Sequence, residues 1–140
     1  MTDAPMSVVV SFRVTQGAGD LAFLAKLFDL PVVAQWVQGD ARATPRGEPL
    51  CGMRKDSYIS LRVAGRNRAW LSDVLNHCID VLEPHREILE ELRSKGAKLE
   101  LFVGWFLDRN GGDSLTPEVM QRLARLGVSL SFDIYPFEET

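Results

Sequence analysis

A strict alternation near the start of the chain restricts the fold more than any other feature. Met6, Val8, Val10, Phe12 and Val14 alternate with Ser7, Val9, Ser11, Arg13 and Thr15. Successive side chains of an extended chain point to opposite faces, so this stretch has one apolar face that must be covered and one that need not be. The same period of two returns in Ile59, Leu61 and Val63, in Leu99, Leu101, Val103, Trp105 and Leu107, and in Val128, Leu130, Phe132 and Ile134. Val32 to Val37 is β-branched and aromatic enough for one more strand. Helical spacing fills the intervals. Asp20 supplies an N-cap for Leu21, Leu24, Ala25 and Phe28, predicting a short helix over 20–29 that Pro31 prevents from continuing. Leu71, Val74, Leu75, Cys78, Val81 and Leu82 mark a longer amphipathic helix, and Ile88, Leu89 and Leu92 carry its stripe past Pro84 to Gly96. Pro84 has to kink or restart that helix. Thr116 as cap, Pro117 in the first turn and Gly127 as stop delimit a last helix.

The predicted order is β-α-β-β-α-β-α-β, without an internal repeat. A chain of 140 residues that is 46% hydrophobic and 25% charged suits a single domain over 1–140. The expected fold class is α+β: a two-layer sandwich with a largely antiparallel five-stranded sheet and helices on one face, a ferredoxin-like β-α-β-β-α-β core plus an α-β pair. Between Gln38 and Asp56 no period survives, and Gly39, Pro45, Gly47, Pro49 and Gly52 interrupt the stretch, so a long irregular loop is predicted over 38–56 and the third strand is expected to end at Gly65. If the helices cover the side of Val10, Phe12, Leu61, Val103 and Phe132, the reverse side presents Val9, Ser11, Arg13, Tyr58, Arg62, Glu100, Phe102, Phe106, Ser129, Ser131, Asp133 and Tyr135. Such a mixed face suits contact with the loop, a second subunit or a ligand.

Several function classes are disfavoured. The longest dense apolar run, Leu99 to Leu107, contains Glu100 and falls well short of the ~20 residues of a membrane-crossing helix. Met1 to Met6 carries Asp3 and no cationic flank before an apolar region, unlike a secretory signal. Cys51 and Cys78 lack CxxC spacing and are expected to be free thiols in a reducing, cytoplasmic setting. A net charge of −3 argues against a nucleic acid partner for the molecule as a whole. Charge is nonetheless uneven, because Ala41 to Arg68 holds seven basic residues against Glu48 and Asp56, which suits either a solvated edge or a site for an anionic partner.

No motif assembles a catalytic centre. Gly17-x-Gly19-x-x-Ala22 mimics a dinucleotide fingerprint, but Asp20 would put a negative charge where a pyrophosphate must sit, so a tight turn explains the glycines. Asp108, Asn110 and Asp113 miss the spacing of a calcium loop and suit a turn stabilised by Asx side chains. His77 and His85, eight residues apart, form no metal-ligand pattern. Cys51 has Arg54 and Lys55 nearby in sequence but no marked base, and Glu87, Glu90 and Glu91 sit with Arg86 and Arg93 on a charged helix surface. No cofactor and no metal site is expected.

Taken together, Ser7-Val8-Val9-Val10-Ser11-Phe12, Trp36-x-x-Gly39-Asp40, Leu82-Glu83-Pro84-His85, Leu123-Ala124-x-Leu126-Gly127 and Ser131-Phe132-Asp133-Ile134-Tyr135 resemble the bacterial family known as domain of unknown function 4279, over nearly the whole chain. The third strand opens with Tyr58 where that family is expected to carry an aromatic, often tryptophan. The resemblance implies a bacterial single-domain protein and carries over no catalytic residues. Two functions are expected from these readings. The first is a non-enzymatic interaction module that meets a protein partner, or a second copy of itself, through the open sheet face or the basic loop. The alternative is a small-molecule-binding or enzymatic domain with the 38–56 loop as a lid. The candidate binding residues are Trp36, Asp40, Tyr58, Arg62, Phe102, Phe106, Asp133 and Tyr135.

Overall fold

The computed structural model describes Ala4 and residues 6–136. The expectation that no leader opens the chain rests mostly on residues outside these. The alternating first segment forms β1 (Met6–Gln16) at the centre of a sheet, flanked on both sides by antiparallel partners, β5 (Ser57–Arg68) and β6 (Lys98–Leu107). The position follows from its pattern: Met6, Val8, Val10, Phe12 and Val14 are all buried on one face. β2 (Val32–Trp36) pairs antiparallel with β5 at one edge, and β7 (Val128–Tyr135) pairs parallel with β6 at the other. The sheet order is β2-β5-β1-β6-β7. The molecule is therefore α+β with a mixed sheet: three of its four pairings are antiparallel, as expected, and the last, β6 with β7, is parallel. β7 follows β6 through a helical crossover, the connection a parallel neighbour requires.

The helices supply the cover for the apolar face. Leu24 and Phe28 of α1 (Phe23–Phe28), Leu75, Ile79 and Leu82 of α2 (Leu71–Leu82), Leu89 and Leu92 of α3 (Arg86–Ser94), and Val119, Leu123 and Leu126 of α4 (Pro117–Leu126) join the sheet residues in one buried cluster. Pro84 breaks the long helix as its sequence requires: α2 stops at Leu82, a 3-10 turn covers Glu83–His85, and α3 restarts. Arg122 of α4 secures the break by donating to Glu83 Oε1 at 2.8 Å, Asp80 Oδ1 at 2.6 Å and Asn76 Oδ1 at 2.9 Å. Thr116 Oγ1 accepts from Val119 N at 3.3 Å, and Gly127 closes α4 with φ 68°, a left-handed conformation that favours glycine.

Four expectations are corrected. The 38–56 segment is not an irregular loop but a hairpin of β3 (Ala41–Ala43) and β4 (Pro49–Met53). Gly39 N donates to Arg54 O at 2.9 Å and Arg54 N to Asp40 O at 2.8 Å, so the β2–β5 pairing runs on outward as an arm, closed by a turn in which Gly47 N donates to Thr44 O. Every residue of β4 is exposed, so no alternation was required of it, and the glycines that suggested a loop are the turn and irregular positions, Gly39, Gly47 and Gly52 all having positive φ. β5 runs past Gly65 to Arg68, because the glycine lies in a shift of register opposite Val8 to Val10 and not at a strand end. α1 begins only at Phe23, since Asp20 Oδ1 accepts from Ala22 N and the next bonds, Leu24 N to Leu21 O and Ala25 N to Ala22 O, are those of turns. Phe132, expected inside with Val103, is 38% exposed on the edge strand, touching Trp105. Among the described residues no helix is long and apolar enough to cross a membrane.

Candidate functional site

The face of the sheet opposite the helices is read from the register. Ser11 faces Arg62 on β5 and Phe102 on β6, which faces Ser131 on β7; Arg13 likewise lies between Ser60 and Glu100; and Ser7 faces Phe106, which faces Tyr135. Trp36 on β2 faces Tyr58 on β5. Seven of the eight candidate residues thus lie on β-strand positions of this one face, with Trp36 and Tyr58 toward one corner and Phe106 and Tyr135 toward the diagonally opposite one. Thr15 and Ser7, their partner positions on β1, are eight residues apart, or about 26 Å at the ~3.3 Å rise of a strand. The candidates therefore form a diagonal band and do not converge in one concavity.

At the first corner the Trp36 and Tyr58 rings stack with centroids 4.5 Å apart, and the Arg54 guanidinium lies 3.7 Å from the centroid of the Trp36 ring. Arg54 is held there by donating from Nη2 to Ala43 O at 2.9 Å. Between this corner and the arm runs a groove of about 620 Å³ lined by Trp36, Arg42, Cys51, Arg54, Lys55 and Tyr58, among others. Arg42 Nη1 donates to Cys51 O at 3.0 Å across the two arm strands. In the middle of the band Arg13 stands 3.5 Å over the Phe102 ring and 3.8 Å from Glu100 Oε1, while Arg62 Nε donates to Ser11 Oγ at 3.3 Å. At the far corner Phe106 and Tyr135 stack at 4.6 Å, with Arg66 3.8 Å over Phe106. Gly104 makes room for this: a Cβ there would fall 2.8 Å from Val9 Cγ1 and 3.4 Å from Phe106 Cε2. The Tyr135 hydroxyl donates to Asp133 Oδ2 at 2.6 Å, and this hydrogen bond, reinforced by the charge of the carboxylate, raises the phenol above its ordinary range.

Asp40 stands apart from this band. Its carboxylate accepts from Val37 N at 2.8 Å and caps the turn into the arm, a local structural task. Asp113 likewise caps, accepting from Leu71 N at the start of α2, and Arg68 pairs with Asp108, whose carboxyl is held below its usual range first by that hydrogen bond. Alternation puts Arg13 on this face and the basic stretch contains Arg54 and Arg66, but sequence reasoning did not place these three among the candidate binding residues. A guanidinium has to be placed over a ring by strand register, and no local pattern in the chain announces that. Ser57 was missed as well: fully buried, it donates to Gly19 O and accepts from Gln38 N at 3.0 Å, fastening the base of the arm.

The electrostatic consequence is specific. Among the described residues Arg54, Arg62 and Arg66 have no carboxylate within ion-pair distance, whereas Arg13, Arg68 and Arg122 do. Three guanidiniums on one face are thus oriented by rings and hydroxyls, and their charge stays uncompensated. On the other side of the sheet Cys78 is buried, and burial pushes its thiol up to about 12; Cys51 is exposed on the arm. Among the described residues no group of three or more His, Cys, Asp or Glu side chains is placed to hold a metal.

Comparison with family models matches the chain to Domain of unknown function (DUF4279) over residues 6–137. Searches of the curated proteins and of the solved structures return no match.

Proposed function

The chain belongs to the DUF4279 family, and from that premise we propose that it is a binding module whose open sheet face and arm take an acidic protein surface. The observation that carries this reading is the band of guanidiniums laid over aromatic rings, with Arg54, Arg62 and Arg66 unpaired by any described carboxylate. A guanidinium on an aromatic face keeps its in-plane N–H donors available for carboxylates while the ring fixes its position. Carboxylates would meet pre-oriented forks, and the exposed Leu50 and Met53 of the arm would add apolar contact beside them. Enzymatic activity is not invoked, and the setting is taken to be the cytoplasm. The run β6-β1-β5-β2 of antiparallel neighbours supports treating the core as ferredoxin-like, with β7 added beyond it.

A second reading has its own observation. The groove beside Trp36 gathers Arg42, Arg54 and Lys55 against Asp56, enough net positive charge for a small anion with the arm as one wall. One experiment separates the two. A fluorescein-labelled oligoglutamate peptide is titrated against the protein by anisotropy at low and high salt, with pyrophosphate as competitor. The acidic-surface reading expects salt-sensitive binding that weakens at least about tenfold when Arg54, Arg62 and Arg66 are all changed to Ala, and is unmoved by Arg86→Ala on the helix side. An undiminished affinity in the triple variant overturns it. Pyrophosphate binding lost in Arg42→Ala with Lys55→Ala, but retained in Arg62→Ala with Arg66→Ala, selects the groove instead.

A further inference from the structure

We propose that β7 is a self-pairing edge through which two copies of the chain join into one continuous sheet. This rests on observations separate from the arginine band. The two edges of the sheet differ. β2 is five residues long, follows Pro31, and pairs with β5 through a shifted register, all of which make an edge a poor template for another strand. β7 is eight residues long and stays in unbroken register with β6 from Val128 to Tyr135. It contains no proline, lysine or arginine and shows no bulge, so of the usual guards against edge pairing it has only the single charge of Asp133 and the Pro136 that follows it. No described strand pairs with its outer side.

Three of the nine large hydrophobic side chains exposed among the described residues lie on this one strand. Phe132 is 38%, Ile134 51% and Tyr135 44% exposed. A neighbour that continues the sheet would cover them, and the sequence of β7 suits its own copy. In an antiparallel pair with a twofold axis through Phe132, the two Phe132 rings face each other. Leu130 then faces Ile134 of the second copy on the helix side. On the open side Ser131 faces Asp133 and Ser129 faces Tyr135. Apolar meets apolar, hydroxyl meets carboxylate, and no like charges are opposed. Moving the axis to Asp133 would set the only charged residue of the strand against its own copy, which is unfavourable. Moving it to Ser131 would centre the contact away from the exposed end. Of the axes at Ser131, Phe132 and Asp133, the one at Phe132 covers that end without charge conflict. It also brings the two Phe106–Tyr135 corners to the same seam, so the open face becomes one surface across both copies.

The test combines mass and cross-linking. Sedimentation equilibrium over a wide micromolar range is expected to show a reversible dimer, and Phe132→Lys, which opposes two cations at the axis, is expected to raise its dissociation constant at least about tenfold. Circular dichroism checks that the variant is folded. Independently of that variant, Phe132→Cys in a Cys51→Ala background is expected to give a disulfide-linked dimer under mild oxidation, whereas Leu130→Cys and Ser131→Cys alone are not. A monomer at all concentrations overturns the proposal. So does a dimer unaffected by Phe132→Lys, or one that cross-links through position 131 in place of 132.

Discussion

Ser57→Ala tests how the arm is fastened to the sheet. The Ser57 hydroxyl is fully buried and joins three segments, donating to Gly19 O in the turn after β1 and accepting from Gln38 N where the arm departs. Removing it deletes two hydrogen bonds, each contributing about 0.5–1.5 kcal/mol net. Gly19 and Gln38 are themselves exposed, so their freed groups regain some water and the upper end of the unsatisfied-group penalty does not apply. The expected loss is about 2 kcal/mol. With an unfolding entropy of ~2.1 cal/mol/K per residue, a chain of this length loses roughly 7 °C in Tm for that change. Urea denaturation with Ser114→Ala as an exposed control measures the loss, and hydrogen exchange locates it. The Gly39 and Arg54 amides, which close the first rung of the arm, should exchange faster in the variant than in the parent. A loss below about 0.5 kcal/mol, the range of ordinary surface changes, or a loss that leaves those two amides unchanged, would refute the assignment of Ser57 as the fastening.

Three further outcomes follow from the geometry. In the native protein a thiol reagent at mild alkaline pH should titrate Cys51 promptly and Cys78 only on unfolding. The Cys78 thiol, raised from 9.0 to about 12, favours the folded state fully below its unfolded value, and that contribution is lost as pH rises from about 9 toward 12; a urea midpoint that does not fall through this window would contradict it. Gly127→Ala forces a Cβ into a φ of 68° and to within 2.0 Å of the Arg93 guanidinium. The flexible arginine tip moves aside, which leaves mainly the left-handed strain of about 1–2 kcal/mol, readable as a lower Tm. Asp133→Asn removes the charged acceptor that raises Tyr135, so in a Tyr58→Phe background the ultraviolet titration of Tyr135 should move down in pH; an unchanged curve would deny the contact.

How much of this was legible in the sequence depends on whether a residue's environment is set by neighbours in the chain or by neighbours across strands. The period of two in Met6 to Val14 placed β1 in the core because a buried face admits no substitute for apolar side chains. Thr116, Pro117 and Gly127 delimited α4 because caps and left-handed stops are local chemistry. Pro84 broke the long helix for the same kind of reason. The arm stayed hidden because its strands bury neither face, and without burial nothing imposes a period. Of the candidate residues, Tyr58, Phe102, Phe106 and Tyr135 follow from alternation, whereas Trp36 follows from its place beside the loop. Asp40 was grouped with them by proximity to Trp36 in sequence, whereas its side chain turns back to Val37 N. The direction of β7 was not legible: a helix of ten residues between β6 and β7 permits the crossover, but alternation carries no information about strand polarity.

The arginine band also answers why one sheet face goes without helices. Every described helix spends its apolar stripe on the β1 side, so the reverse face has to remain stable in contact with water while carrying Trp36, Tyr58, Phe102, Phe106 and Tyr135. Covering a ring with a guanidinium shields its apolar surface while keeping charge at the boundary, and each such contact contributes about 0.5–1 kcal/mol at an exposed site. Ser11 and Ser60, although on this uncovered face, are buried, and Arg62 donates to the Ser11 hydroxyl. A face built only to be soluble would gain as much from lysines scattered among serines, and would not need three arginines lifted away from the nearby carboxylates. Because Glu100 is taken up by Arg13 and Ser131, and Asp133 by Tyr135, the acids of the face are occupied while Arg54, Arg62 and Arg66 keep donors for an outside acceptor. That asymmetry between occupied acids and unpaired bases is the feature on which the proposed recognition of an acidic surface rests.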